Sequence, residues 1–287
     1  MESLFWLVQG VLEPLEFAFM RQALMMGVLL GILCAVVGSY MIVQQMGMMG
    51  DMISHSVLAG LPVALYLNVP LSLGALVAGV LSAALLSFLE SQSRLKIDGV
   101  MALILASFLA MGTTLVTVLP GGDRLDLIHI LFGNILGITP QDLLLTLGIT
   151  LLILTAVFLF YKELLFYTFD PVGAQASGLP VHWYYLSMVT GISLTVVATL
   201  QTVGVLLVIA MLVAPGMTAY LLVKELHQMM ILGAMIGSLA AIMGMYLSYY
   251  INIPSGAAIV LVAFSLFLCA FLFSPSQGLL TQQLRRK

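Results

Sequence analysis

The segment Gly50-Asp51-Met52-Ile53-Ser54-His55-Ser56 sets a carboxylate and an imidazole four residues apart. On an α-helix that spacing puts both side chains on one face, one turn apart. An Asp oxygen with a neutral His nitrogen suits Zn²⁺, Mn²⁺ or Fe²⁺, whereas a Cu(I) site would favour thiolates or thioethers. The same residues also have a plainer use, with Asp51 capping a helix N-terminus and His55 packing through a hydrogen bond. Capping and ligation can coexist, and an ionisable residue inside an apolar helix is a functional candidate in its own right. Asp126 and His129, beside Asp123, could also receive a cation, but they read first as a solvated acidic loop. Met41, Met46, Met48, Met49 and Met52 read as adaptable packing, and His182 and His227 as polar residues at helix ends.

The elements that must hold the Asp51 and His55 pair are membrane helices. Of the 287 residues, 62% are apolar and only 7% charged, with a mean hydropathy of +1.18, where soluble domains carry roughly 25% charge. A soluble enzyme is excluded. Nine basic against 12 acidic side chains give a net charge of −3, so no basic surface exists for nucleic acid. Cys34 and Cys269 lie in apolar stretches and read as inert thiols rather than a disulfide or metal cluster. An N-terminus with Glu2, Glu13 and Glu16 and no basic leader predicts that no signal peptide is removed.

A spanning helix needs about 20 apolar residues, so the gaps between charges and breakers define the spans. Nine are expected, with eight or ten as alternatives: Phe17–Val43, Asp51–Leu67, Leu71–Leu89, Val100–Leu119, Asp142–Tyr161, Trp183–Leu200, Val203–Val223, Met229–Tyr250 and Ala257–Phe273. The fold class is therefore an all-α polytopic membrane protein, a single transmembrane domain over residues 1–287. A cytoplasmic C-terminus puts Arg94, Lys96, Lys162, Lys224, Arg285, Arg286 and Lys287 inside and leaves Arg21 and Arg124 outside, as basic residues prefer. Residues 162–181 are then a cytoplasmic segment and residues 120–139 an extracytoplasmic one. Gly27, Gly31 and Ala35 share one helix face, and Gly233, Gly237 and Gly244 recur on another, both marking close helix contacts.

Two further segments carry punctuation. Asp170 fits a cap, Pro171 the first helical position, and Gly178 followed by Pro180 a stop, giving a helix of about two turns. Its small-residue face, with Ala174, suits docking into a partner's groove, although an ordinary interfacial turn fits the same punctuation. Ala214-Pro215-Gly216 is expected to kink or break its span, making Pro215 and Gly216 gate or hinge candidates beside simple kinked packing. No lysine among Lys96, Lys162, Lys224 and Lys287 follows a glycine as a phosphate-binding loop requires, so any ATP hydrolysis belongs to another chain.

Gly50-Asp51-x-x-Ser54-His55-Ser56-x-Leu58-x-Gly60, Leu131-Phe132-Gly133-Asn134-Ile135-Leu136, Phe169-Asp170-Pro171 leading to Gly178-Leu179-Pro180, and Val203-Gly204-x-Leu206-Leu207-Val208 leading to Ala214-Pro215 occur in this order. Together they resemble the permease subunit of manganese, zinc and iron ABC importers, from about residue 20 to residue 275. The resemblance implies a homodimeric permease in the bacterial cytoplasmic (inner) membrane. It also implies two cytoplasmic ATP-binding subunits gripping the Asp170–Gly178 helix, and an extracytoplasmic metal-binding protein. Asp51 and His55 would contact the metal in transit, which is cargo rather than a cofactor, with manganese favoured by the resemblance. The competing reading from the residues is a secondary or passive metal carrier, which would normally need more ionisable groups along its path.

Overall fold

The computed structural model describes residues 13–92, 95–120, 135–274 and 278. These residues are helical throughout their regular structure: α1 Ala18–Val43, α2 Met49–Tyr66, α3 Leu71–Gln92, α4 Ile97–Val118, α5 Pro140–Leu159, α6 Tyr161–Phe169, α7 Pro171–Ala176, α8 Val181–Val203, α9 Val205–Leu222, α10 Leu226–Ile251 and α11 Ser255–Phe273. Each of the nine expected spans coincides with one of these helices. Eight are long and apolar enough to cross a bilayer by length and composition. The remaining one, α2, has 18 residues, includes Asp51, and buries most of its side chains inside the protein.

Helix α1 is the central element, and its chief partner is α10. The two small-residue stripes expected to mark helix contacts meet each other here. A Cβ added to Gly31 would lie 2.6 Å from the Gly237 carbonyl carbon, one on Gly27 2.9 Å from Ala241 Cβ, and one on Gly233 3.3 Å from Ala35 Cβ. Small side chains let the backbones approach, which is how helices associate when lipid removes the usual hydrophobic drive. Helices α9 and α11 complete this group, with Gly244 of α10 against Ile259 of α11.

A second group forms around α2, which packs on α3 and α4. Gly60 and Gly74 bring α2 and α3 together at a backbone-to-backbone contact. Within α2, Pro62 has no N–H to offer the Leu58 carbonyl. Gly112 of α4 comes up against that segment, where a Cβ would lie 3.1 Å from the Leu58 carbonyl oxygen. Helix α8 joins the two groups through contacts with α1, α2, α3, α5 and α9. Helices α5 and α11 bury little of their surface and present leucine and phenylalanine outward, as lipid-facing helices do.

The break between the sixth and seventh expected spans falls at Gly204 rather than between Leu200 and Val203. Gly204 has φ +82° and ψ 157°, a conformation open to glycine and costly for residues with a Cβ. Lys96 directly precedes α4, Lys162 lies in the first turn of α6 and Lys224 lies between α9 and α10, whereas Arg21 lies in the first turn of α1.

Candidate metal-transit site

The chain reverses between α1 and α2 over Gln44–Met48. Gln45 takes a left-handed φ of +60°, and the Met46 and Met49 amides donate to the carbonyls of Met41 and Met46, each at 2.9 Å. Helix α2 then starts without a side-chain cap, because its N-cap residue is Met48. Asp51 is therefore not the cap. It sits in the first turn, where the unpaired amides of the helix start favour a negative charge.

The Asp51 Oδ1 and His55 Nε2 atoms are 3.3 Å apart, with the side chains 32% and 23% exposed. On a helix whose other residues from Met49 to Ala64 are buried except for Val63, these two alone keep access to the outside of the chain in the first two turns. His55 Nδ1 is buried and has no hydrogen-bond partner among the described residues. One carboxylate oxygen and one imidazole nitrogen thus converge on a single point, which is what ligation of a divalent ion requires. Two side chains are fewer than the four to six donors such ions take. Among the described residues, no group of three or more His, Cys, Asp or Glu side chains completes the set.

The neighbours of the pair hold its backbone. Gly50 leaves room for Leu212 of α9 and Met41 of α1, each 3.2 Å from where its Cβ would be. Met41, Met49 and Met52 are fully buried and serve as packing, while Met46 is half-buried and Met48 exposed. On the other flank, a Cβ on Gly79 of α3 would lie 3.2 Å from Ser193 Oγ of α8 and 3.3 Å from Ile53 Cγ2. The hydroxyls of Ser54 and Ser193 are both buried and unpartnered among the described residues. The sequence reading missed Ser193 and Gly79; the available signal was the run of hydroxyls in α8 at Thr190, Ser193, Thr195 and Thr199.

The loop helix α7 has the expected punctuation. Asp170 Oδ1 accepts from the Gly173 amide at 2.8 Å, Pro171 occupies the first helical position, and Gly178 ends the segment with φ +83°. Ala174, expected on a docking face, is instead fully buried against the chain itself. The face turned outward carries Pro171, Val172, Gln175 and Ala176, with Val172 77% exposed. An interior Ala174 follows from the packing of α7 on α6 and α8, which covers the small side of so short a helix.

The expected kink or break at Pro215-Gly216 is not a break. Helix α9 runs from Val205 to Leu222 through Pro215. Gly216 faces Gly38 of α1, with a Cβ position 3.4 Å from the Gly38 carbonyl carbon, and Gly38 in turn meets the Leu212 carbonyl. Packing on α1 keeps the segment helical despite the lost amide. His227 pairs with Glu225 at 3.3 Å on the surface, in keeping with a helix-end role. Asp123, Asp126 and His129, and most of the Leu131–Leu136 motif, lie outside the described residues; Ile135–Gly137 is a single 3₁₀ turn.

The profile of the ABC 3 transport family matches residues 16–274. The chain is 45% identical over 275 residues to the manganese transport system membrane protein MntC of Halalkalibacterium halodurans, covering 96% of this chain and 94% of that one. It is 39% identical over 272 residues to a protein of Haemophilus influenzae described as a probable iron transport system membrane protein, covering 95% and 96%. Among solved structures, PsaBC from Streptococcus pneumoniae in complex with Fab superposes with a TM-score of 0.85 at 35% identity, covering 96% of this chain and 99% of that one.

Proposed function

The chain belongs to the ABC 3 transport family, and from that membership we propose that it is the membrane permease subunit of an ABC importer for a divalent transition metal. Manganese is the favoured cargo, supported by the manganese transport relatives, with iron and zinc as alternatives. The observation that carries the reading is the convergence of Asp51 Oδ1 and His55 Nε2, 3.3 Å apart, on the accessible stripe of an otherwise buried helix.

The half-complete donor set is the reason to propose a homodimer. A second copy of the chain would bring its own Asp51 and His55, and two such pairs supply the four donors a borderline divalent ion accepts. The basic residues Lys96, Lys162 and Lys224 support an orientation with the α7 end on the cytoplasmic side of a bacterial inner membrane, where Pro171, Val172 and Gln175 would be offered to a cytoplasmic ATP-binding subunit. Asp170 and Gly178 act on docking through the shape of the helix, one capping its start and the other ending it. Ala174 anchors the helix from inside. An extracytoplasmic metal-binding protein would load the opposite end.

The test is uptake of ⁵⁴Mn²⁺ into proteoliposomes holding the permease, the ATP-binding subunit and the metal-binding protein. Uptake that requires ATP and is lost in Asp51→Ala and His55→Ala, with assembly intact, supports the reading. Equal flux through the permease alone without ATP would replace it with a secondary or passive carrier. Val172→Asp should release the ATP-binding subunit while leaving metal binding in place.

A further inference from the structure

Helix α4 turns most of its surface away from the rest of the chain. Its exposed side carries Gly99, Ala102, Ala106, Ala110, Thr113 and Thr117. At about 100° per residue these six fall in a strip about 80° wide that runs about 27 Å along the helix, with Leu103 at its flank. The lipid-facing helices expose bulky side chains instead, such as Leu147, Leu151 and Phe158 on α5 and Leu261, Phe264 and Leu268 on α11. Small residues gain nothing against lipid, but they let two helix backbones approach closely. The chain uses them in that way where α1 meets α10 and where α2 meets α3. On α4 the same device is left open, and nothing lies within 4 Å of where a Cβ on Gly99 would be. Gly148 of α5 is open too, but it stands among the exposed Leu144, Leu147, Leu151 and Leu152.

The hydroxyls on this face are satisfied within α4 itself. Thr113 Oγ1 donates to the Ala110 carbonyl at 3.0 Å and Thr117 Oγ1 to the Thr114 carbonyl at 2.8 Å. Their protons are therefore taken, and what the face offers is a small, smooth surface suited to another helix. We propose that this stripe is where a second copy of the chain seats, α4 against α4, level with the transit pair. Such a contact is isologous, the same patch serving on both copies of a two-fold dimer.

The transit pair selects a second copy over an unrelated helix. Asp51 and His55 supply two donors, too few for a divalent ion, so the site is incomplete in one chain. Helix α4 packs along α2, and Gly112 meets it at Leu58 and Ala59, one turn beyond His55. The two helices are separated by one returning helix, α3, and so run in the same direction. Counting back about 1.5 Å per residue along both puts Ala106 level with the turn from Asp51 to His55. A copy seated on the stripe thus arrives one helix away from the donors that need completing. The inference rests on the importer reading for the incompleteness of that pair.

Cysteine oxidation in membrane vesicles holding the whole complex tests the contact. With the exposed Cys269 replaced by Ala and the buried Cys34 kept, Ala106→Cys should form at least tenfold more disulfide-linked permease dimer than Leu151→Cys on α5 or Phe264→Cys on α11, since a bridge needs Cα atoms within about 7 Å. Gly99→Cys, Ala102→Cys, Ala110→Cys and Thr113→Cys extend the scan along the stripe. Dimers from the α5 or α11 positions with none from α4, or no dimer from any position, would overturn the contact. Ala106 is exposed in the single chain, so Ala106→Trp should leave the helical content unchanged while it separates the purified permease into monomers, read by native mass spectrometry, and weakens Mn²⁺ binding at least tenfold. Ala106→Ser should keep both the dimer and the binding. An Ala106→Trp permease that stays dimeric and binds Mn²⁺ as the wild type does would also overturn the contact. Asp51→Ala/His55→Ala should cross-link through Ala106→Cys as the wild type does, and ATP-dependent uptake surviving in that variant would defeat the importer reading without changing the cross-linking pattern.

Discussion

Replacing Asp51 with Asn keeps the shape of the side chain and one oxygen donor but removes the negative charge from the transit pair. A unit charge pair about 4 Å apart is worth about 1 kcal/mol in water and about 4 kcal/mol at an effective dielectric of 20. A divalent ion doubles both limits, to about 2 and about 8 kcal/mol. Asp51 is 32% exposed, so solvent screening takes the value towards the lower limit. The expected loss is about 2–4 kcal/mol, or roughly 30- to 1,000-fold in metal affinity at about 1.4 kcal/mol per tenfold. The assay is Mn²⁺ binding to the purified permease complex without its extracytoplasmic protein, in wild type, Asp51→Asn, His55→Gln and the double variant. Because the two groups act on one ion, the double variant should lose less than the sum of the singles. A change below threefold in Asp51→Asn, or strict additivity in the cycle, would refute a shared metal site and leave Asp51 as a residue that only complements the start of α2.

Acidification should weaken metal binding at the transit pair, because a proton and a metal compete for the same imidazole nitrogen; a pH series should show this in wild type and a flatter profile in His55→Gln. Gly31→Leu should cost about 1–3 kcal/mol or more by overpacking, since even a Cβ there lies 2.6 Å from the Gly237 carbonyl carbon, and a thermal melt in detergent reads the loss. Asp170→Ala should cost about 1 kcal/mol through the missing cap on the Gly173 amide and lower ATP-dependent uptake with metal binding retained, whereas Asp170→Ser should restore most of it. Ala174→Trp should destabilise the permease itself, seen as a lower melting temperature, because that side chain points inward.

What the sequence determined by itself was set by local chemistry. Backbone groups in lipid must be paired within their own segment, so apolar runs between charges became helices, and all nine expected spans have one. The α7 boundaries were equally local, with Asp170, Pro171 and Gly178 each acting within a few residues of itself. Helical period put Asp51 and His55 on one face, and the structure brings their atoms to 3.3 Å. The glycine stripes announced close packing, but only the tertiary structure paired the α1 stripe with the α10 stripe, because the choice of partner depends on contacts between residues far apart in the chain, such as Gly31 with Gly237.

The tertiary structure also decided the places where packing overrides local tendency. Proline at 215 predicts a kink or break, yet α9 stays helical through it, packed against Gly38 of α1. The expected break between the sixth and seventh spans falls at Gly204, whose positive φ no amino-acid pattern distinguishes from that of other glycines. Ala174 is small enough for either face of α7, and the packing of α7 on α6 and α8 put it inside. Residue type and spacing fix what a helix face can do, whereas which faces meet depends on long-range packing that no short window of sequence contains.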